Sequence, residues 1–556
     1  MSESPGFTPG PTPGPLAIAE PLRSLLPSLR ERFRREGWWG DTTFASRAAE
    51  LAREDADSPV LGDDVETMTR RELAERAAWL ATELAAAGVP HGSVVGLQMA
   101  NSAKYAVANL ACELAGLVWV NLSRAYGRHE MTEILGHLGA TALLTSEAAA
   151  ADALRDELPA LQVLVAVDAP APAGWLSYDA LVTGPADPAV IASRHLTADD
   201  VYSIALSSGT TSARPKEAMR SVNSMYSALS IMNDDLGVGG DDRILVLAPQ
   251  TGGTGYSYSV AFPMITGARA DVTELPVGEE LVARIRELRP SVLVAVPTQM
   301  ARLLDAAGGD RAMWSELRLI INSGAPLLGE VAARAEEECG CPIVSVYGAT
   351  DGLVPVMASP DEPPEVRHAS VGRVIAGHAM RIVDDDGREL PPGETGEILG
   401  FGPGMAFGYV DNPAEMARAW DTDGWWHSGD LGVLDATGHL RVVGRKKEMI
   451  LRGGVNISPL EIEELLGRHP DVAEVAVVPI EHPDLLEQAC AVVVPRAGAT
   501  PTLDDLCAFL RGEGLAKFKL PEHLVLRDEL PRTAAQKIDK LTLVREVNEV
   551  DQGAGE

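Results

Sequence analysis

The stretch SSGTTSARPKEAM, residues Ser207 to Met219, decides how this chain is interpreted. It follows YSIAL, an apolar run typical of a buried strand, and it precedes NSMYSALSIM, which has the spacing of a helix. Gly209 lets the backbone approach a ligand, the hydroxyl groups offer hydrogen bonds, and Lys216 supplies a positive charge. A Walker A loop is excluded because Pro215 precedes the lysine and Glu217 follows it. Alone, the stretch is equally compatible with a phosphate-binding loop and with a structural turn.

Composition limits the classes of protein to consider. A chain of 556 residues exceeds the size of a single hydrophobic core, so we expect at least two domains. The net charge of −33 argues against non-specific binding to nucleic acids or anionic membranes. No apolar run approaches the roughly 20 residues that span a bilayer. Five scattered cysteines predict no disulfide framework, and the N-terminus lacks the pattern of a signal peptide. We therefore expect a cytoplasmic protein that is not inserted into a membrane.

Segments with helical spacing alternate with short apolar strands from about Leu16, as in RRELAERAAWLATELAAAGV followed by SVVGLQM. The same order resumes after the opening stretch with DRILVLAP, SVLVAVP and LRLIINSGAP. This β–α–β–α order predicts an α/β fold of doubly wound parallel sheets. From Val371 the segments become shorter, which predicts a β-rich subdomain over about 371–446.

The same patterns divide the chain. Residues 1–15 are rich in Pro and Gly and predict a disordered tail. A boundary within GRKKEMILRGG separates a large domain, residues 16–446, from a small α+β domain, residues 447–556.

Four further stretches carry groups suited to chemistry: SVYGATDG (345–352), WWHSGDLG (425–432), GRKKEMILRGG (444–454) and LPRTAAQKIDK (530–540). Each has a plain structural alternative. Tyr347 could be a core aromatic, Asp430 could cap a turn, and Arg445 and Lys537 could lie on solvated surfaces. The serine hydrolases are disfavoured because no G-x-S-x-G motif occurs.

Taken in order and spacing, the five stretches closely resemble the adenylate-forming superfamily, which includes acyl-CoA synthetases, peptide-synthetase adenylation domains and luciferases. The resemblance runs from roughly Trp38 to Val544. REGWWGDTT, GRKKEMILRGGVNISPLEIEELL and GLAKFKLPEHL are most similar to ligases of aromatic and cyclic carboxylic acids.

The resemblance implies an ATP- and Mg²⁺-dependent ligase that makes an acyl-AMP and then a thioester. Lys537 would bridge the acyl carboxylate and the α-phosphate, Thr350 would touch that phosphate, and Asp351 would hold Mg²⁺. The remaining nucleotide contacts fall on the phosphate loop, the adenine site and the ribose site: Ser207, Ser208, Gly209, Thr210, Thr211, Ser212 and Lys216; Ser323, Gly324, Ala325, Pro326, Tyr347 and Gly348; Asp430 and Arg445.

The resemblance also implies that the C-terminal domain is a mobile lid that turns about Lys447 between the two half-reactions. Gly453 and Gly454 would then line the passage for pantetheine. The thiol would belong to CoA or, as an alternative, to the phosphopantetheine of an acyl carrier protein. The oligomeric state is left open, a homodimer included.

The chain departs from the family pattern at several positions. The phosphate loop is one residue longer than T-T-G-x-P-K-G, with Ser212 and Glu217 in place of glycines. We expect Glu217 to point outward, because a carboxylate facing inward would repel phosphate. Asp351 stands for glutamate, and Gln536 replaces the glycine before Lys537. A catalytically weak nucleotide-binding relative is therefore a further alternative.

The acyl site is expected along APQTGGTGYSYS (248–259), the helix after the phosphate loop, and the edges of INSGA and YGATDG. No charged residue occurs between Ile244 and Ala268, which argues against an amino-acid substrate. The histidine that many aromatic-acid ligases carry here is missing, which weakens a simple benzoate assignment. Gln250, Tyr256 and Asn322 are the polar groups predicted to contact the acyl body.

Overall fold

The computed structural model describes residues 22–207, 215–353, 355–452, 455–482, 485–533 and 537–553. Within these ranges, no helix combines the length and the apolar character needed to cross a bilayer. The predicted tail, residues 1–15, lies outside the described residues.

The α-helices of the described residues are, in chain order, α1 Leu22–Arg35, α2 Phe44–Glu54, α3 Arg70–Ala86, α4 Ala103–Leu114, α5 Arg128–His137, α6 Ala148–Ala151, α7 Leu154–Glu157, α8 Tyr178–Leu181, α9 Pro188–Arg194, α10 Val222–Leu236, α11 Gly253–Tyr256, α12 Phe262–Thr266, α13 Glu279–Leu288, α14 Pro297–Ala307, α15 Gly329–Cys339, α16 Pro364–Ala369, α17 Pro413–Ala419, α18 Pro459–Leu466, α19 Leu503–Gly512 and α20 Lys540–Gly553. A π-helical turn, Ser257–Ala261, joins α11 to α12, and 3₁₀ turns occupy Arg311–Trp314 and Lys517–Lys519.

The strands are β1 Pro59–Gly62, β2 Thr67–Thr69, β3 Val94–Gln98, β4 Val118–Asn121, β5 Ala142–Thr145, β6 Val163–Ala166, β7 Leu176–Ser177, β8 Val201–Ser207, β9 Lys216–Ser221, β10 Arg243–Val246, β11 Arg269–Val272, β12 Val292–Ala295, β13 Leu319–Ser323, β14 Ile343–Tyr347, β15 Val356–Met357, β16 Arg373–Val374, β17 Ala379–Val383, β18 Gly396–Phe401, β19 Trp426–Leu434, β20 Leu440–Arg445, β21 Ile450–Arg452, β22 Val455–Ile457, β23 Val472–His482, β24 Leu486–Pro495 and β25 His523–Leu526.

Two mainly parallel sheets form the large N-terminal domain. The first has the order β7-β6-β5-β3-β4-β8-β9, and the second has the order β16-β15-β14-β13-β12-β10-β11-β1-β2. Their central strands are fully buried apolar runs, as expected where helices cover both faces. The chain forms β1 and β2 at the edge of the second sheet, enters the first sheet at β3 after α3, and returns to the second sheet at β10.

The remaining strands form two smaller sheets. Strands β17 to β20 make an antiparallel sheet in sequence order, as predicted for the β-rich segment. The C-terminal sheet has the order β22-β21-β24-β23, with β25 added in parallel to β24. Helices α18 and α19 pack on this sheet around a separate apolar core. The α/β class with a large N-terminal domain and a small C-terminal domain is thus confirmed.

One strand was missing from the sequence-based prediction. The opening stretch was expected to run from a strand directly into a helix, but Lys216 begins β9, which pairs antiparallel with β8. The residue pair Ser207 and Lys216 closes this hairpin. The error has a physical cause: KEAMRS carries four polar side chains and lacks the apolar run of a buried strand, so only pairing with β8 makes it one.

Helix α4 is buried almost all round, and it contains the carboxylate of Glu113. Its Oε1 accepts a hydrogen bond from the Ala45 backbone N–H at 2.8 Å, at the start of α2. Burial raises the pKa of Glu113 to about 7, and the hydrogen bonds from Thr43 and Ala45 only partly oppose this rise. The folded protein therefore holds a proton here over a pH range in which an unfolded glutamate is ionised.

A pH-dependent stability follows from Glu113. Because the folded-state pKa of Glu113 is raised, its contribution to the free energy of unfolding is fully present below about pH 4.5. That contribution is lost as the pH rises to about 7, and the free energy of unfolding falls by up to about 1.4 kcal/mol per pH unit. Glu113→Gln keeps the acceptor for Ala45 but cannot ionise. We expect the free energy of unfolding of the variant, relative to the wild type, to rise by about 2 kcal/mol between pH 5 and pH 7.5 in urea titrations.

Glu75→Gln is the matched control, because Glu75 is exposed on α3. Equal pH profiles for the wild type and Glu113→Gln would contradict the assignment.

Candidate functional site

The predicted adenine and phosphate contacts lie at the carboxyl ends of two neighbouring parallel strands. Asn322 on β13 is the register partner of Ser345 on β14, so the segments 322–326 and 345–352 leave the sheet side by side. Ligands of open α/β sheets bind at such carboxyl ends. Gly324 has a left-handed φ of +92°, which a residue with a side chain rarely adopts. The turn thus keeps Ser323 to Pro326 close to the β14 loop.

A carboxylate with two donors faces this edge. Asp430 on β19 is buried, and its Oδ2 accepts a hydrogen bond from the Tyr347 hydroxyl at 2.8 Å. Its Oδ1 accepts one from Arg445 Nε at 3.1 Å, because the two residues are cross-strand partners on β19 and β20. Burial raises the pKa of Asp430, and the charge of Arg445 opposes the rise. Tyr347, Asp430 and Arg445, predicted from three separate stretches, therefore form one hydrogen-bonded group suited to a pair of sugar hydroxyls.

Lys216 and Asp351 also meet, through residues that the sequence did not indicate. Lys216 Nζ lies 3.9 Å from Asp351 Oδ2, 3.3 Å from the Tyr409 hydroxyl and 2.7 Å from Glu415 Oε1. The Tyr409 hydroxyl donates to Asp351 Oδ2, and the ammonium group lies 5.0 Å from the centre of the Tyr409 ring. Nothing in the spacing of GYVDNPAEM pointed to the site; only the fold places Tyr409 and Glu415 beside Lys216.

The phosphate loop itself is only partly described. Ser208, Gly209, Thr210, Thr211 and Ser212 lie outside the described residues, as do Gly453 and Gly454. Ser207 ends β8.

Glu217 was expected to point outward. It lies next to Lys216 on β9, where successive side chains point to opposite faces, and it is buried on the face away from the site. Its Oε2 lies 3.1 Å from His137 Nε2 on α5. The carboxylate therefore avoids the phosphate side, but it is packed inside the protein and not exposed to solvent.

The predicted catalytic lysine comes from the C-terminal domain. Lys537 is positioned by the bridge between Arg532 and Ile538 and by the Thr533 N–H, which donates to the Lys537 carbonyl at 2.8 Å. A Cβ added to Gly324 would lie 3.8 Å from Lys537 Cε, so the lysine reaches the turn after β13. Partial desolvation and the charge of Arg445 lower its pKa, although the residue keeps access to solvent.

An ion-pair cluster holds the two domains in this arrangement. Glu474 on β23 pairs with Arg302 on α14 at 2.7 Å and with Arg532 at 2.6 Å. Glu474 thus connects the large domain to the loop that carries Lys537. The predicted hinge residue, Lys447, is exposed in the turn between β20 and β21.

The residues predicted to contact the acyl body are all buried, and they differ in what their polar atoms do. The Gln250 amide accepts from the Ser102 N–H at 2.7 Å and donates to the Ser259 hydroxyl at 3.1 Å, so both ends hold the scaffold together. The Tyr256 ring packs on Trp119 with centroids 4.7 Å apart. Asn322 Oδ1 is buried with no hydrogen-bond partner among the described residues.

Sequence reasoning missed Arg220. It is buried on β9, on the same face as Lys216, and its Nη2 donates to the backbone carbonyl of Thr350. Burial lowers the pKa of its guanidinium group. A charged residue within the strand AMRSV was a usable signal, because such a residue is rarely fully buried without a reason.

Comparisons with known proteins agree with this geometry. Residues 48–410 match a family model described as AMP-binding enzyme, and residues 461–537 match its C-terminal domain. The chain is 36% identical over 465 residues to the indoleacetate–CoA ligase of Aromatoleum aromaticum, covering 83% of this chain and 89% of that protein. It is 33% identical over 535 residues to a salicylyl-CoA synthase / salicylate adenylyltransferase of a Streptomyces species, covering 92% and 95%. The ATP-bound structure of MatB from Rhodopseudomonas palustris superposes with a TM-score of 0.80 at 27% identity, covering 92% and 100%.

The Lys216–Glu415 pair yields a test. If Lys216 binds phosphate, Glu415 competes for it, and Glu415→Gln removes the competitor while keeping the side-chain size. A partly buried ion pair of about 1 kcal/mol predicts ATP binding that is about 3- to 5-fold tighter, measured by calorimetry. Lys216→Met should weaken it.

Glu394→Gln, at an exposed turn, is the control and should leave the affinity unchanged. If Glu415→Gln weakens ATP binding as much as Lys216→Met does, Glu415 positions the lysine and does not compete with ATP.

Proposed function

The chain belongs to the AMP-binding enzyme family of adenylate-forming acyl-CoA ligases, and we propose that it activates an aromatic, cyclic or medium-size carboxylic acid with ATP and transfers the acyl group to CoA. The observation that carries this proposal is the position of Lys537. A lysine from the C-terminal domain reaches Gly324, next to the group formed by Tyr347, Asp430 and Arg445. A surface lysine with only a structural role would not need to lie beside Gly324.

In the first half-reaction, a carboxylate oxygen attacks the α-phosphorus of ATP, an acyl–O–P bond forms, and pyrophosphate leaves. Lys537 supplies a positive charge where the negative charge of both reactants accumulates, a contribution typically worth about 10²–10³ in rate. Its lowered pKa reflects a site that water only partly screens. Asp430 and Arg445 hold the ribose, Thr350 contacts the α-phosphate, and Ser207 to Ser212 with Lys216 hold the β- and γ-phosphates.

The residues present suit a magnesium ion that arrives with ATP. The described residues contain no cluster of three or more side chains able to hold a metal ion alone, and Asp351 offers one carboxylate. Mg²⁺ commonly takes one or two carboxylates and fills its other positions with phosphate oxygens and water. Asp351 would hold the ion, which would supply positive charge to neutralise that of the phosphates.

In the second half-reaction, the thiol attacks the acyl carbonyl and AMP leaves. We propose that the C-terminal domain, residues 447–556, turns about Lys447 between the two steps, so that Lys537 withdraws and Gly453 and Gly454 approach the thiol. The ion pair between Glu474 and Arg302 is exposed on the arginine side, so its stabilising free energy is small enough for the pair to break during such a turn.

The acid is identified by carboxylate-dependent exchange of pyrophosphate into ATP across a panel of aromatic, cyclic and medium-chain acids. Thioester formation is then measured with CoA and with a holo-carrier protein, which separates the CoA ligase from the carrier-loading alternative. ATP binding with no exchange for any acid would instead identify a nucleotide-binding relative without turnover.

Lys537→Ala separates the two half-reactions. We expect pyrophosphate exchange to fall by at least about 100-fold, because the cation between carboxylate and phosphate is lost. Conversion of a supplied acyl-adenylate to the thioester should stay within a few-fold of the wild type.

Lys517→Ala, at an exposed lysine of the same domain, should change neither step. Equal loss of both half-reactions in Lys537→Ala would contradict the alternation of the C-terminal domain.

A further inference from the structure

A buried guanidinium group that forms no ion pair with a described residue lies beneath the site. Arg220 is 4% exposed and makes one hydrogen bond, to the carbonyl of Thr350. Its Nε is buried and has no hydrogen-bond partner in the part of the chain that the structure describes. Asp351 is near enough for its charge to act on Arg220, but no carboxylate of those residues forms an ion pair with it within 4 Å. Residues 208–214 contain no Asp or Glu.

A second unpartnered donor lies beside Arg220. Tyr202 is the residue of β8 at the register shift between the pairs Val201–Ser221 and Ser203–Arg220. Its hydroxyl is buried beside that of Tyr256 and has no well-formed hydrogen bond to a described residue. The Tyr202 ring meets Trp119 edge-on at 5.4 Å, and Trp119 also packs on Tyr256. Burial raises the pKa of Tyr202 to about 12, so its hydroxyl is a neutral donor.

These groups lie where the acyl part of the substrate is expected. Thr350, to which Arg220 donates, belongs to the loop that meets the α-phosphate and the reacting carboxylate. Tyr256, on the other side, belongs to the segment predicted to line the acyl body. Arg220 and Tyr202 therefore lie at the carboxyl end of the acyl site and not at its far end.

The chemistry of this pair indicates what is missing. An arginine has five N–H donors and no acceptor, and leaving a buried charge unpaired is costly. An oxygen of the substrate that accepts hydrogen bonds would satisfy both donors together.

We propose that Arg220, together with Tyr202, binds an oxygen that the acid carries next to its carboxyl group, so that the preferred substrates are acids oxygenated at the 2-position. This inference rests on the proposed function, because it concerns the acid that the same site adenylates. Arg220 is then a specificity-determining residue that separates 2-hydroxy acids from their deoxy analogues.

A purely structural arginine is the competing explanation, and the chain provides a matched example. Arg70 also has a buried Nε without a partner among the described residues, and its Nη2 donates to the carbonyl of Gly267 at 2.8 Å. Arg70 lies at the start of α3, away from the carboxyl ends of β13 and β14. It is therefore the control for the loss of one guanidinium–carbonyl bond.

The test measures kcat/KM for pyrophosphate exchange with benzoate, 2-hydroxybenzoate and 4-hydroxybenzoate, and with octanoate and 2-hydroxyoctanoate. For the wild type we expect the 2-hydroxy acid to exceed its deoxy analogue by roughly 10- to 100-fold, as for a hydrogen bond to a charged group, and to exceed the 4-hydroxy isomer similarly. Arg220→Met should reduce this ratio to within about 3-fold, because kcat/KM falls more for the 2-hydroxy acid than for the deoxy acid. Tyr202→Phe should lower the ratio partly.

Arg70→Met should leave the ratio unchanged, and circular dichroism and thermal unfolding establish that each variant is folded. Arg220→Met removes a buried contact and could prevent folding. In that case the ratio of kcat/KM between the 2-hydroxy and deoxy acids is measured on Arg220→Lys and Tyr202→Phe. Exchange with the same preference in the wild type and in these variants would overturn the proposal, as would equal loss for all acids. Absence of exchange with every acid in the wild type would overturn the proposed function itself, and this inference with it.

Discussion

The site depends on one constraint: a charged side chain is buried at the carboxyl edge of the nine-stranded sheet. The Asp430 carboxylate is buried there, Tyr347 and Arg445 are its hydrogen-bond partners among the described residues, and its raised pKa reflects that burial. Lys537 approaches the same edge from the C-terminal domain with a lowered pKa. Asp430 is held away from the solvation that would stabilise its charge, and Lys537 lies near the like charge of Arg445. A nucleotide that brings hydroxyl groups and phosphates would supply further partners for both.

The hairpin of β8 and β9 extends this arrangement toward the acyl site. Alternation along β9 puts Lys216 and Arg220 on the face that meets Asp351 and Thr350, while Glu217 is buried on the other face against His137. The substitution of a glutamate for the family's glycine is thereby made compatible with phosphate binding. One strand thus distributes two cations to the site and removes a carboxylate from it.

The net charge of −33 makes this local order necessary. A polyanionic ligand meets a protein whose overall field repels it, so attraction has to come from cations fixed at short range. Lys216, Arg220, Arg445 and Lys537 all face the same cleft. Among the described residues, Lys216 and Arg445 have carboxylate partners within 4 Å, whereas Arg220 and Lys537 do not. Of these two, Lys537 is exposed and Arg220 is buried, which is why Arg220 carries the inference about the acid.

Much of the fold and part of the site could be predicted from the sequence because they are written in local patterns. Apolar runs in the sequence indicated strands β3, β12 and β13. An ordered set of motifs with glycines and hydroxyl-bearing residues indicated Tyr347, Asp430 and Lys537. Strand β9 could not be predicted, because its polar residues are buried only through pairing with β8. Tyr409 and Glu415 could not be predicted either, since they reach Asp351 and Lys216 across 58 and 199 residues of chain that carry no pattern joining them.

By itself, the sequence determined the α/β class, the order of the motifs and the identity of the charged groups, since these depend on residue type and short-range spacing. The tertiary structure alone decided which of those groups meet. In the folded protein Glu217 lies against His137, and Glu415 forms an ion pair with Lys216. The Gln250 amide is hydrogen-bonded to Ser102 and Ser259, and Arg220 donates to the carbonyl of Thr350. The physical reason is that burial and hydrogen-bond partners belong to contacts between distant segments, and the cost of an unpaired buried charge exists only after the chain has folded around it.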